Sequence, residues 1–225
     1  ARQTIKEIYQ DLAKSTPFDG LLFHDDLTLS DYEDASPQAL AAYTQQGLTT
    51  DLAKIRNNDA DLQKWTAYKT RYLDDFAMEL ANEVRQYQPY LMTARNLYAQ
   101  VALNAYAENW YAQSLEQSLN RYDFTAIMAM PYMEKVDQPE QFYSNILNRL
   151  KKYPNGIKKS VIELQAVNWR NDQKIPSEEM AATIKSLYQQ GAMHIAYYPD
   201  DPIKDHPDVK QMHDAFAQKS SQLVP

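Results

Sequence analysis

Short apolar runs recur at an even spacing along this chain, and that spacing constrains the fold more than any other feature. "PYLMTARNLYA" begins near residue 90, "FTAIMAMPY" at 124, "KSVIELQAVNW" near 160 and "MHIAYYPDDP" near 194, a period of about 35 residues that suits successive strand-plus-helix units. Each run lacks strict alternation and ends in polar or aromatic residues, as strands of a parallel sheet buried on both faces do. A fifth run, "GLLFHDD" at 20–26, has the same form.

Helical patterns lie between the runs: "LQKWTAYKTRYLDDFAMELANEVRQY", "ENWYAQSLEQSLNR", "PEQFYSNILNRLKKY" and "PSEEMAATIKSLYQQG". The last has Ser177 ahead of a pair of Glu at its start and Gly191 as its C-cap. An amphipathic helix, with Ile5, Ile8, Tyr9 and Leu12 at helical spacing, opens the chain. Residues 31–61 are expected to form a long βα loop with short helices, of the kind that carries function. Five βα units fit either an open doubly wound sheet or part of an eight-stranded barrel. No glycine-rich phosphate loop favours the first. The expectation is an α/β fold of the (β/α) TIM-barrel type. Because the chain opens on a helix, its first strands are expected to lie outside it, with 1–225 forming the C-terminal portion of one barrel domain.

Thirty acids against 23 Lys plus Arg give a formal charge of -7, which argues against a polyanionic partner, so no nucleic acid is expected. With no cysteine, disulfides, thiolate metal sites and a Cys nucleophile are excluded. Seventeen Tyr and three Trp beside four Gly suit core, groove walls and sugar platforms.

In a barrel, reacting groups sit at the C-terminal ends of the strands. Those ends carry Asp25 and Asp26, then Arg95 and Asn96, Tyr132, the stretch Gln165 to Trp169, and Tyr197 to Asp201. Carboxylates and amides for hydroxyl groups, with aromatic faces for pyranose rings, are a sugar-binding set. Asp25 and Asp26 are the candidate catalytic pair, since glycosidic cleavage uses one acid to protonate the leaving oxygen and a second group at the anomeric carbon. On an extended strand adjacent side chains face opposite ways, and the sequence leaves open which of the two meets the pocket. Asp31, Asn96, Tyr132, Glu163, Gln165, Trp169, Tyr198 and Asp200 are the candidate substrate-binding residues. Glu163 shares a strand face with Gln165, either supporting the site or taking part in it. A solvated strand-end loop is the plainer reading of "HDD". His24 is expected to pack in the wall rather than ligate a metal, because none of the four His pairs at ligand spacing; no metal or other cofactor is expected in this chain. Trp65 and Trp110, inside helical patterns, are expected in the core, and Trp169, after a strand, as a platform.

The segments "IKEIYQDLAKSTPFDGLLFHDDLTLSDYED", "YLMTARNLYA", "AIMAMPYME" and "YYPDDP" together resemble the C-terminal domain of the bacterial poly-β-1,6-N-acetyl-D-glucosamine N-deacetylases. The resemblance runs through essentially the whole chain. It implies a glycoside-hydrolase-type barrel that binds partially deacetylated polymer in an electronegative groove and, in some members, cleaves it, with Asp25, Asp26 and Asp31 matching the groove motif. It also implies a separate N-terminal deacetylase domain, absent from this chain and the place where a divalent metal is expected. A periplasmic location, anchoring to the outer membrane as a lipoprotein, and an export porin as partner are implied as well. Whether such a groove cuts or only binds is left open.

Overall fold

The computed structural model describes residues 1–222. Its contacts divide the chain into two compact units, residues 1–96 with 104–123, and residues 97–103 with 124 onward.

The first unit opens with α1 (Arg2–Ser15), then β1 (Gly20–Phe23), α2 (Pro37–Gln45), α3 (Leu52–Arg56) and α4 (Asp59–Arg85). β2 (Met92–Tyr98) begins in this unit and runs parallel to β1, in register from Gly20↔Met92 to Phe23↔Arg95. The stretch expected as a long loop does carry two short helices, α2 and α3, each started by a side-chain cap. Ser36 Oγ accepts from Ala39 N–H, and Asp51 accepts from the N–H groups of Ala53 and Lys54. Asn58 caps α4 in the same way. The buried stripe of α4 begins apolar with Leu62 and Trp65, turns polar at Thr66, Lys69, Thr70 and Asp74, and is apolar again from Ala77 to Val84. Burying charge in a helix face costs heavily unless partners wait for it, so this polar interval marks where α4 meets something other than core.

Three expectations change in this unit. α1 buries Ala13 and partly Ile5 and Tyr9, while Ile8 and Leu12 are exposed. The pattern at 108–121 is not one helix: α6 (Glu108–Tyr111) ends at Ala112, whose φ of 47° is left-handed, and α7 (Leu115–Arg121) restarts after the cap Ser114. Trp65 is fully buried, its indole N–H donating to Thr49 O at 2.7 Å, but Trp110 on short α6 is 42% exposed. The helix break explains the difference, because a single turn presents Trp110 without a second turn to cover it.

The second unit holds α5 (Ala99–Leu103), β3 (Phe124–Met128), α8 (Pro139–Leu150), α9 (Gly156–Lys159), β4 (Ser160–Gln165), the small antiparallel hairpin β5 (Val167–Asn168) with β6 (Gln173–Lys174), α10 (Ser177–Gln189), β7 (His194–Tyr198) and α11 (Val209–Gln222). β3, β4 and β7 lie side by side and parallel, with Met128, Glu163 and Ala196 in one row. Gly191, at φ 98°, closes α10, with Ala192 N–H reaching Leu187 O at 2.9 Å. Ser177 is the first residue of α10 rather than its cap, and its Oγ accepts from Asp208 N–H. At the first position of α9 only glycine fits, since a Cβ at 156 would lie 2.1 Å from Leu150 O.

The fold is thus α/β with parallel strands joined through helices, consistent with a partial barrel. Five such strands occur among the described residues, and closure of a TIM barrel takes eight.

Candidate functional site

β1 ends at Phe23 and the chain turns at once. Leu27 N–H donates to His24 O at 3.1 Å and Thr28 N–H to Asp26 O at 2.9 Å. Asp25 and Asp26 therefore sit in a turn, where strand alternation no longer applies. Their environments diverge: Asp25 is 8% exposed, whereas the Asp26 side chain is 96% exposed. His24 does not pack in the wall as expected. Its side chain is half exposed, and Nδ1 pairs with Asp25 Oδ1 and lies 3.9 Å from Asp26 Oδ2. The ligand atoms of these three residues fall within 4.8 Å of one another, close enough to hold a metal ion, although exposed acids often cluster so without one.

The turn is held from below by Arg95 on β2. Its guanidinium is fully buried and donates to four carbonyls: Phe23 O at 3.3 Å, His24 O at 2.7 Å, Asn96 O at 3.1 Å, and Leu27 O. Asp74 of α4 lies 3.9 Å from Nε, and Tyr122 donates its hydroxyl to that carboxylate at 2.7 Å. Burial pulls the Arg95 guanidinium below its ordinary value, opposed by Tyr122, Asp74 and Asp25. Burial likewise raises the Asp74 carboxyl, opposed by the Tyr122 hydrogen bond and by Arg95. Asn96 is completely buried beside this clamp.

Beyond the turn, Thr28 Oγ1 and Leu29 N–H both donate to Tyr111 O. Lys69 of α4, 1% exposed, donates to Ser30 O at 2.6 Å and Asp31 O at 3.0 Å. Burial lowers its ammonium from 10.5 to about 8, with Asp31 and Glu33 pulling the other way. The partly exposed Asp31 thus emerges from a backbone tied down on both sides. Exposed Trp110 and Tyr106 stand edge to face, 5.9 Å between centroids, in this same unit.

In the second unit, Gln165 at the end of β4 is spoken for. Its carbonyl oxygen accepts from Tyr132 N–H at 2.9 Å and Met133 N–H at 3.3 Å, and its amide donates to Val167 O at 2.7 Å. It braces the loop after β3. Tyr132 turns its hydroxyl to Glu179 at 2.7 Å, which raises its pKa, with burial adding to the rise. Glu163 is buried on β4. Trp169 in the β5–β6 turn and Tyr198 at the end of β7, 41% and 52% exposed, lie with ring centroids 6.4 Å apart and planes 31° from parallel. Asp200 is exposed just beyond.

Residues 1–198 match the family model described as hypothetical glycosyl hydrolase family 13. The chain belongs to that family. This member is 39% identical over 222 residues to the poly-β-1,6-N-acetyl-D-glucosamine N-deacetylases of Escherichia coli strain K12 and of Escherichia coli O157:H7, matching 96% of this chain and 33% of each of those proteins. It spans about a third of their length. Among solved structures, the PgaB (BpsB) glycoside hydrolase domain from Bordetella bronchiseptica superposes with a TM-score of 0.89 at 44% identity, over 95% of this chain and 61% of that one. Within this hypothetical glycosyl hydrolase family 13 chain, the roles that sequence reasoning missed are those of Arg95, Lys69 and Asp74, together with the exposure of Trp110. Two of these left a signal: Lys69 and Asp74 fall in phase with the buried face of α4.

Proposed function

We propose that this chain is a carbohydrate-active domain that binds, and by its paired carboxylates hydrolyses, partially de-N-acetylated β-1,6-glucosamine polymer in the processing of a biofilm exopolysaccharide. The observation that carries the reading is the Asp25–Asp26 turn: two adjacent acids, one buried against His24 and one in solvent, fixed by a buried guanidinium. The names of the relatives, which concern this polymer and a glycoside hydrolase domain, support the substrate class.

Polymer that has lost acetyl groups carries ammonium groups, and carboxylates at Asp25, Asp26 and Asp31 attract it over the neutral chain in a salt-dependent way. Asp26, free to move in solvent, is assigned as the acid that protonates the glycosidic oxygen. Asp25, held in place, orients a neighbouring N-acetyl group, whose carbonyl oxygen attacks the anomeric carbon; water then releases the product. In the second unit, Trp169 and Tyr198 offer a face for a pyranose ring, and Asp200 a further carboxylate. Tyr132, Gln165 and Glu163 support that region, and Asn96 supports the Arg95 clamp. This chemistry needs no cofactor in the chain.

Taken as part of a longer deacetylase, the chain is assigned to the periplasm, tethered to the outer membrane through a lipid anchor of that protein, and its product to an export porin; the deacetylase's divalent metal belongs to the other domain. The test is incubation of the protein with glucosamine oligomers of defined acetylation, reading both binding and product length. Cleavage by wild type, lost in Asp26→Asn and in Asp25→Asn, is expected. Binding without products, weakened by the same changes, makes the domain a polymer-guiding module instead.

A further inference from the structure

Lys69 takes no part in the chemistry just assigned, yet it is a buried amine whose two hydrogen-bond acceptors are backbone carbonyls of the acidic loop. We propose that Lys69 is a positioning residue, a strap across Ser30 and Asp31 that fixes the Asp31 carboxylate for sugar recognition. The inference rests on the reading of Asp31 as a sugar-binding acid.

Geometry carries it. Lys69 lies on the buried face of α4, at one wall of a cleft of about 330 Å³ whose other lining includes Leu29 and Asp34 of the loop and Tyr43 of α2. A lysine stem that reaches through an apolar cleft to two carbonyls spends its charge on dipoles. The loop carbonyls gain charge-assisted bonds, roughly twice the strength of neutral ones. The titratable groups facing it are Asp31 and Glu33 from the loop, Asp34 and Tyr43 across the cleft, and Tyr68 and Tyr72 of its own helix. Glu33 is tied to Ser30 N–H at 2.9 Å, which lowers its pKa, and burial raises the Tyr43 hydroxyl to about 12. Neither changes charge near neutral pH.

The test compares wild type with Lys69→Met, Lys69→Arg, Asp31→Asn and the Lys69→Met/Asp31→Asn pair. Amide hydrogen exchange at residues 30–34, corrected for intrinsic pH dependence, is expected to be about tenfold faster in Lys69→Met, the loss of about one charge-assisted bond. Lys69→Arg, which keeps the charge and the N–H donors, should retain most of the wild-type protection. At pH 7, Lys69→Met should weaken binding of a glucosamine oligomer about tenfold, and should add nothing in the Asp31→Asn background. Unchanged exchange in Lys69→Met, or an equal loss of binding with and without Asp31, overturns the proposal. If Lys69→Met fails to fold, Lys69→Gln, which keeps an N–H donor without the charge, takes its place, and exchange at residues 30–34 equal to wild type is the refuting result. A wild type that binds no oligomer overturns the sugar reading of Asp31 and the recognition half of this inference, while exchange still decides the strap.

Discussion

Replacing Arg95 with methionine tests whether the Asp25–Asp26 turn is held by a buried cation or merely covers one. Methionine keeps the stem and removes four donated hydrogen bonds, those to Phe23, His24, Leu27 and Asn96. It also leaves Asp74 buried without the guanidinium 3.9 Å away. Hydrogen bonds to charged groups contribute about 1.5–3 kcal/mol each and are not additive, and removing one partner of a buried pair costs about 3–5 kcal/mol. Arg95→Met is therefore expected to lower unfolding free energy by about 3–5 kcal/mol, read from urea transitions at pH 7. Asp74, raised in the folded state already, rises further without Arg95. A carboxyl held above its unfolded value penalises the fold fully above the folded pKa and not at all below the unfolded one, so the deficit should shrink on acidification. Arg95→Met/Asp74→Asn removes the stranded charge and keeps an acceptor for Tyr122, and should regain about half of the lost stability. Oligomer binding should stay weak in both variants, because neither has the clamp on the turn. Wild-type binding in the double variant would refute the idea that Arg95 positions the acids, and a stability loss under about 1 kcal/mol would refute the burial argument.

Gln165→Leu should cost about 2 kcal/mol in urea unfolding, since the N–H groups of Tyr132 and Met133 lose their acceptor. Trp169→Ala, at a half-exposed site, should change stability by less than about 0.5 kcal/mol while weakening oligomer binding several-fold in calorimetry. Relative to Lys69→Met, wild-type stability should rise between pH 8 and 10.5. In that window the unfolded lysine still holds a proton that the folded one has released, and the rise amounts to something on the order of 3 kcal/mol. A flat difference across that window would mean that folded Lys69 keeps its proton as long as the unfolded one does, so that burial does not lower it.

The sequence by itself determined the alternation of helices and parallel strands, because a strand buried on both faces must be apolar throughout and a helix on such a sheet must repeat its apolar positions at its own period. It also placed the acids at a strand end, the C-cap at Gly191 and the core position of Trp65. Tertiary structure alone decided how the surroundings of Asp25 and Asp26 differ. Adjacent residues on a strand are split by alternation, but a turn splits them by burial, and the turn exists because Arg95, remote in sequence, binds its carbonyls. It decided Trp110 in the same way, since the helical pattern of 108–121 is local whereas the left-handed Ala112 that breaks it is not announced by any glycine. Gln165 reads as a sugar ligand by residue type and position, yet its hydrogen-bonding capacity is consumed by backbone more than thirty residues upstream and two residues on. Lys69 and Asp74 were legible as charges on a buried helix face, but their partners were not. Helical phase reports which side of α4 a residue takes, and only the folded chain brings Ser30, Asp31 and Arg95 to meet it.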